Sequence, residues 1–312
     1  LRFHRSQYIV GCNKLKIMLL LAMKKSTALS VDLVPAADLS YDRLTLLINQ
    51  AYLNYYLPVW IDAAQFARMC AIEDIDLWKS VVALNDDTPV AIALLSVRED
   101  AGWLSGVGVL ASWRRRGIAR RIVEHVQATT RAEALRTLRL EVLAQNEGGL
   151  ALYQQLDFRW ERDLLVLTLE PGTFDPLPLP PGIAPASPDV ILASYTAFHE
   201  TPMPWQRQLA SCVHRQDELR GLALWEASRM VGYLLYQLQQ GNHVVADLAV
   251  DPEYPQRLQA ARTLLTAMHS ARPDMGGSTI NLPTDDPLLP AFTGLHYRIW
   301  QRQHELVWEV GA

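Results

Sequence analysis

The densest chemical signal in the chain is Val107-Gly108-Val109 followed by Arg114-Arg115-Arg116-Gly117-Ile118-Ala119-Arg120. The pattern reads as a strand that passes through a tight loop into an apolar helix. A helix N-terminus presents backbone N–H groups with no intrahelical partner and a partial positive charge, and a diphosphate supplies acceptors and negative charge to match. Gly117 has no Cβ to hold phosphate oxygens away from the backbone, and Ala119 keeps the next approach open. Arg115, Arg116 and Arg120 add cationic donors. Glycines at 106 and 108 inside the strand predict a bulge, which frees backbone N–H groups from the ladder. The Val109 N–H is then able to polarise an acyl carbonyl.

Two other readings compete. An arginine run taken alone is more often a solvated face or a nucleic-acid patch. Gly106, Gly108 and Ala111 also satisfy a GxGxxA dinucleotide fingerprint, but there the helix starts within the glycines. Here it starts at Gly117, after two hairpin strands.

Arg114-x-x-Gly117-x-Ala119 resembles the (Q/R)xxGx(G/A) coenzyme A loop of the GNAT (Gcn5-related N-acetyltransferase) superfamily. A second block, Leu140-Glu141-Val142, Asn146, Leu152-Tyr153 and Phe158, resembles that superfamily's closing segment and is most similar to the ribosomal-protein alanine N-acetyltransferases. The resemblance implies acetyl-CoA as co-substrate, held by Val107, Gly108, Val109, the loop Arg114 to Arg120 with Ile118, and Asn146. It also implies Glu141 as general base and Tyr153 as general acid. Asp157 departs from the glycine usual before Phe158 and concerns only a turn.

The chemistry asks for these residue types independently of the family. In a ternary complex an amine attacks the thioester directly, so one group must take a proton from the ammonium and another must return one to the thiolate. A free carboxylate near pKa ~4.3 is a poor base for an ammonium, so Glu141 should be desolvated or act through water. Tyr153, near ~10, stays protonated and can donate to a thiolate near ~8.5. A solvent-facing Glu141 and a Tyr153 used for packing are the bland alternatives. The expected acceptor is a small amine, an amino acid or a peptide. Tyr52, Tyr55, Tyr56, Trp60, Asp62, Glu73, Asp74 and Asp76 offer aromatic faces and carboxylates for a cation, although such aromatics are more often core. A non-catalytic acyl-CoA-binding protein would use the same loop.

The elements that must position these groups follow from periodicity. A strand at 31–34 and helices near 39–52 and 62–72 come first. A hairpin of Ser80–Leu84 and Val90–Val97 and a strand at Trp103–Leu110 follow. A helix at Gly117–Ala134, a strand at Leu138–Leu143, a helix at Gly149–Leu156 and a strand pair at Phe158–Leu169 complete the unit. This is an α/β sandwich on a mixed sheet. A proline-crowded stretch with Pro176, Pro178, Pro180 and Pro181 cannot propagate a helix or inner strand. The same element order then returns, with its first strand missing or very short. Two tandem α/β domains are expected: residues 1–27 as a leader outside the fold, 28–170 as the catalytic domain, 171–188 as linker and 189–312 as a degenerate copy. Laying Val250 on Val109 puts Leu258 over Gly117, Asp286 over Asn146 and Thr293, or Phe292, over Tyr153, so the copy lacks the cradle and the phenol.

At 312 residues the chain suits two domains. A 50% hydrophobic content with a formal net charge of -4 argues for a folded protein and against general nucleic-acid binding. Cys12, Cys70 and Cys212 form no CxxC pair, which disfavours a disulfide framework or zinc site. No histidine spacing suggests a metal, and His125 and His269 read as helix-surface or packing residues. The apolar run Ile17–Met23 is too short to span a bilayer and is followed by Lys24 and Lys25, so neither a membrane anchor nor secretion is expected. The native start is expected at Met18 or Met23, the location in the cytoplasm, and the assembly as a monomer or homodimer.

Overall fold

The computed structural model describes residues 31–53, 55–56, 59–173 and 181–311. The expected leader with Cys12, Met18 and Met23, the residues Leu57 and Pro58, and linker prolines 176, 178 and 180 lie outside the described residues.

The first half runs β1 (Asp32–Pro35), α1 (Tyr41–Ala51), α2 (Ala63–Glu73), β2 (Val81–Asn85), β3 (Thr88–Arg98), β4 (Ala101–Val109), α3 (Ile118–Ala132), β5 (Thr137–Leu143), α4 (Glu147–Gln154) and β6 (Arg159–Leu169). Local chemistry sets the boundaries. Ser40 caps α1 through the Arg43 N–H, and Asp62 with Gln65 forms a reciprocal capping box on α2. The Asp86-Asp87 turn closes the β2–β3 hairpin, with Asn85 opposite Thr88. The second half runs β7 (Ile183–Ala186), α5 (Pro188–Leu192), α6 (Tyr195–Phe198), a 3-10 turn Trp205–Arg207, α7 (Leu209–His214), β8 (Arg220–Glu226), β9 (Arg229–Gln239), β10 (Asn242–Val250), α8 (Arg257–Ala271), β11 (Gly276–Pro283), α9 (Leu289–Thr293) and β12 (Arg298–Glu309).

The twelve strands among the described residues form one sheet, in the order β1-β2-β3-β4-β5-β12-β6-β11-β10-β9-β8-β7. The two halves exchange strands at its centre. β12, from the second half, lies between β5 and β6, while β6, from the first, carries β11 on its other side. Only β4–β5 and β10–β11 are parallel pairs. Helices cover both faces of each half. Ile118, Ile122, Val123 and Val126 of α3 bury on one face of the first half, and Leu44, Leu47 and Ile48 of α1 with Phe66 of α2 on the other. Leu264, Leu265 and Met268 of α8, and Ile191, Tyr195 and Cys212, do the same in the second half.

The structure corrects several expected elements. Phe158–Leu169 is one long strand, because β12 and β11 supply partners along its whole length. The helix expected over residues 189–198 divides into α5 and α6. The stretch expected as pure linker ends in β7, and its proline is tolerated because β7 is an edge strand paired only with β8. The short helices around Trp205–His214 had no clear periodicity to reveal them.

Candidate active site

β4 and β5 are hydrogen-bonded neighbours only at their first residues, Ala101 with Thr137, Gly102 with Leu138 and Trp103 with Arg139. Beyond that the pairing ends and a gap opens. On the other edge of β4 the register against β3 slips between Gly106 and Leu104, making Ser105 the bulged residue. The Leu110 N–H bonds the Val90 carbonyl on β3. Strand alternation therefore turns the backbone groups of Val107 and Val109 toward the gap. Two contacts agree with this orientation: the Tyr52 hydroxyl donates to the Val107 carbonyl at 3.2 Å, and Arg114 Nε donates to the Val109 carbonyl at 3.0 Å.

Gly117 caps α3 with φ of 80°, a left-handed conformation that favours glycine. A Cβ added there would meet no heavy atom within 4 Å, so the turn is an open cradle. The first helical bond runs from the Arg121 N–H to the Gly117 carbonyl, leaving the N–H groups of Ile118, Ala119 and Arg120 directed out of the helix end. Gly108 serves a different need: its Cβ would stand 2.8 Å from that of Ala51, so its absence lets α1 lie against β4.

The arginines divide their work. Arg114 Nη2 donates to the Ala51 carbonyl at 2.8 Å, so this side chain ties the end of β4 to α1 and is largely spent on backbone. Arg115, with φ of 61°, is exposed and lines the cleft. Arg116 stacks its guanidinium 5.1 Å from the Trp113 ring and lies outside the cleft lining. Arg120 bonds Gln155 at 2.6 Å at the C-terminal cap of α4, bridging the two helices beside the cradle.

A cleft of about 720 Å³ joins the cradle, the backbone of Val107 to Val109, and Asn146, Tyr153, Tyr52 and Tyr55. Asn146 caps α4, accepting from the Gly149 N–H at 3.0 Å, and its amide donates to the Tyr55 hydroxyl at 3.3 Å. Tyr153 packs edge-on against Phe158, and its hydroxyl has no hydrogen bond among the described residues. Burial, then the neighbouring Tyr52 and Tyr55 phenols, raises the Tyr153 pKa well above the ordinary value. Burial likewise pushes Tyr52 up to about 12. Both phenols therefore hold their protons at neutral pH.

Glu141 does not line this cleft. Leu140 and Val142 enter the core beneath α3, so alternation along β5 turns Glu141 to the opposite face. There Oε2 accepts from Trp103 Nε1 at 2.6 Å, and Oε1 is buried with no hydrogen-bond partner among the described residues. Desolvation, with repulsion from Glu305 directly opposite on β12, pushes its pKa up to about 8 against the stabilising Trp103 bond.

The carboxylates considered for holding a cationic amine are otherwise engaged. Asp62 caps α2, Asp74 pairs with Arg98 at 2.5 Å, Asp76 with Lys79 at 2.8 Å, and Glu73 is buried against Ser211. The sequence did not single out Trp103, Trp205 or Glu305, since their juxtaposition with Glu141 depends on cross-strand and inter-half contacts that no local spacing reports.

Residues 46–158 match the Acetyltransferase (GNAT) family. That match lies within the β1–β6 half of the chain. A stretch of 73 residues is 36% identical to the [Ribosomal protein bS18]-alanine N-acetyltransferase of Salmonella typhimurium, covering 23% of this chain and 49% of that relative, so the match spans about half of that relative's length. Similarity of fold extends over both halves. A GCN5-related N-acetyltransferase from Sphaerobacter thermophilus superposes with a TM-score of 0.67 at 17% identity, over 89% of this chain and 95% of that one. A tandem GNAT protein from the clavulanic acid biosynthesis pathway gives 0.67 at 15% identity, over 91% and 99%.

The second half repeats the framework of the first without its cradle. The β10 bulge at Ala246 falls where the overlay of Val250 on Val109 puts Ser105, and β10 and β11 likewise pair only at their first residues. Leu258, in place of Gly117, lies within α8, and Arg257 at the head of that helix pairs with Glu200 at 2.9 Å. The adjoining cavity is only about 90 Å³ and is lined by Glu200, Asp285 and Asp286, carboxylates that repel a diphosphate. Where the first half has Gly106, the second has Asp247, buried against Tyr233, His199 and Arg207. His269 is buried and bonds Tyr297 at 2.8 Å, and His125 is exposed on α3. No helix among the described residues is long and apolar enough to cross a membrane.

Proposed function

We propose that the protein transfers an acetyl group from acetyl-CoA to a primary amine by direct attack in a ternary complex, using the first-half cleft. The observation that carries this reading is the open Gly117 cradle sharing one cleft with the gap-facing backbone of Val109 and the Tyr153 hydroxyl. Amides of Ile118, Ala119 and Arg120 are suited to diphosphate oxygens, with Arg115 and Arg120 adding charge and the capped Asn146 bordering the cofactor arm. Acetyl-CoA supplies the activated thioester, and the residues supply position and protons.

The Val109 N–H is oriented to receive the acetyl carbonyl oxygen as charge develops on it. Glu141, on the opposite face of the sheet, takes the proton of the incoming ammonium, directly or through water. The new N–C bond forms as the C–S bond breaks, and Tyr153 returns a proton to the departing sulfur. A base near 8 matches a peptide α-amino group, at roughly 7.7–8.0, far better than a lysine at roughly 10.4. Together with the likeness to the ribosomal-protein alanine acetyltransferase, this favours a peptide N-terminus as acceptor.

The test is to incubate the protein with acetyl-CoA and peptides beginning with alanine, alongside lysine side-chain and small-amine controls, and to titrate free thiol. Thiol release dependent on the alanyl peptides is expected. Tight acetyl-CoA binding with no release for any amine would instead identify an acyl-CoA-binding protein. Calorimetry should find one acetyl-CoA per chain, because the second half lacks the cradle.

A further inference from the structure

The side chains around Glu141 come from both halves of the molecule. Trp103, on β4, donates its indole N–H to Oε2 at 2.6 Å. The Trp103 ring is itself stacked on Trp205 of the second half, with centroids 5.7 Å apart and planes 17° from parallel. Trp205 is almost fully buried and is fixed on three sides. Its Nε1 donates to the Glu73 carbonyl at 3.0 Å, the Arg98 guanidinium lies 4.4 Å from its ring, and its own carbonyl accepts from Arg98 at 3.0 Å. The Ser211 hydroxyl closes the contact by donating to Glu73 Oε2 at 3.0 Å. Two stacked indoles thus connect the second half to a single carboxylate oxygen.

We infer that Trp205 and Trp103 are positioning residues for Glu141: the second half holds the indole N–H on Oε2, which fixes the carboxylate's rotamer and leaves the buried Oε1 as the oxygen with no competing hydrogen bond. This rests on the reading of Glu141 as the base. The buried, unpartnered Oε1 is the observation that gives the clamp a purpose, since a structural carboxylate would have both oxygens satisfied. The second half then contributes to the first half's chemistry even though its own cradle is lost.

The charged groups that act on Glu141 among the described residues are themselves paired. Glu305 on β12 stands opposite it and is paired with Arg162 of β6, and Glu73 on α2 is held by Arg98 of β3. Arg139, the neighbour on β5, is engaged by Glu161. The two aromatic residues act in opposite senses. The Trp103 N–H stabilises the ionised carboxylate, whereas the Trp205 ring, over Trp103, shields its Oε2 side from water.

The experiment is a pH titration of the full chain with 15N-labelled tryptophan indoles, which needs no acceptor. The Trp103 resonance, identified by its loss in Trp103→Phe, should move with a midpoint near 8 and should stay flat in Glu141→Gln. Trp205→Leu, which frees the indole from its stack, should shrink the pH-dependent excursion of the Trp103 resonance to less than about half of wild type, and Trp205→Phe, which keeps a ring, should preserve most of it. Acetyl-CoA affinity should stay within about twofold of wild type in both Trp205 variants, since the cleft is on the other face. A Trp103 resonance that does not respond to pH, or an excursion unchanged in Trp205→Leu, overturns the clamp. If the titration behaves as expected but Glu141→Gln retains full turnover on an acetylated peptide, the base assignment fails, and the inferred role fails with it.

Discussion

Gly117→Ala tests the feature on which the proposed acetyl-CoA recognition rests. With φ at 80° an L-residue costs roughly 1–2 kcal/mol, while the added Cβ meets no atom within 4 Å, so the fold should lose only that much stability. The methyl group would stand where the diphosphate must approach the N–H groups of Ile118 to Arg120. Hydrogen bonds to a charged group are each worth about 1.5–3 kcal/mol, so forfeiting one weakens binding by roughly tenfold to a hundredfold. Gly117→Asn separates the two effects, because asparagine tolerates the left-handed region but still carries a Cβ. Calorimetry with acetyl-CoA and thermal denaturation should show both variants impaired in binding and only the alanine variant clearly destabilised. A dissociation constant within about threefold of wild type in both would refute the cradle argument.

Four further outcomes are expected. Tyr153→Phe should lower turnover while acetyl-CoA affinity is retained, as measured by thiol release and calorimetry. For Glu141, the folded-state pKa near 8 lies above the ordinary 4.5, so the folded chain holds a proton through that window and stability falls as pH rises across it. Glu141→Gln should therefore flatten the loss of thermal stability between about pH 5 and pH 9 and abolish the acid limb of the rate profile. Gly108→Ala should destabilise by about 1–3 kcal/mol in chemical denaturation, because its Cβ would overlap that of Ala51. A variant lacking β12 should fail to give cooperative unfolding of the first half, since β5 and β6 have no direct pairing to fall back on.

Much of the framework was legible because it is local. The α3 stripe of Ile118, Ile122, Val123 and Val126, the Asp86-Asp87 hairpin and the glycine bulge each follow from spacing within a few residues. The cradle was legible for the same reason, as Gly117 and its flanking amides are consecutive. The strand exchange was not, since no periodicity distinguishes a β6 that pairs with β5 from one that admits β12 between them. The division of labour among the arginines was equally hidden: whether Arg114 faces phosphate or the Ala51 carbonyl depends on where α1 ends in space. The sequence placed Glu141 and Tyr153 in one mechanism, while the structure puts them on opposite faces of the sheet, a consequence of β5 alternation and of the helix that carries Tyr153.

The central position of β12 also bears on how the molecule is made. During translation β5 leaves the ribosome with its neighbour some 150 residues away, and Glu141 meets Glu305 only after nearly the whole chain has emerged. Until then the nascent first half carries two unsatisfied strand edges, β5 and β6, that invite pairing with other chains. Synthesis speed and chaperone cover over that interval should thus govern the yield of soluble protein, and a truncated translation product would have its Gly117 turn but not the second-half neighbours of Glu141.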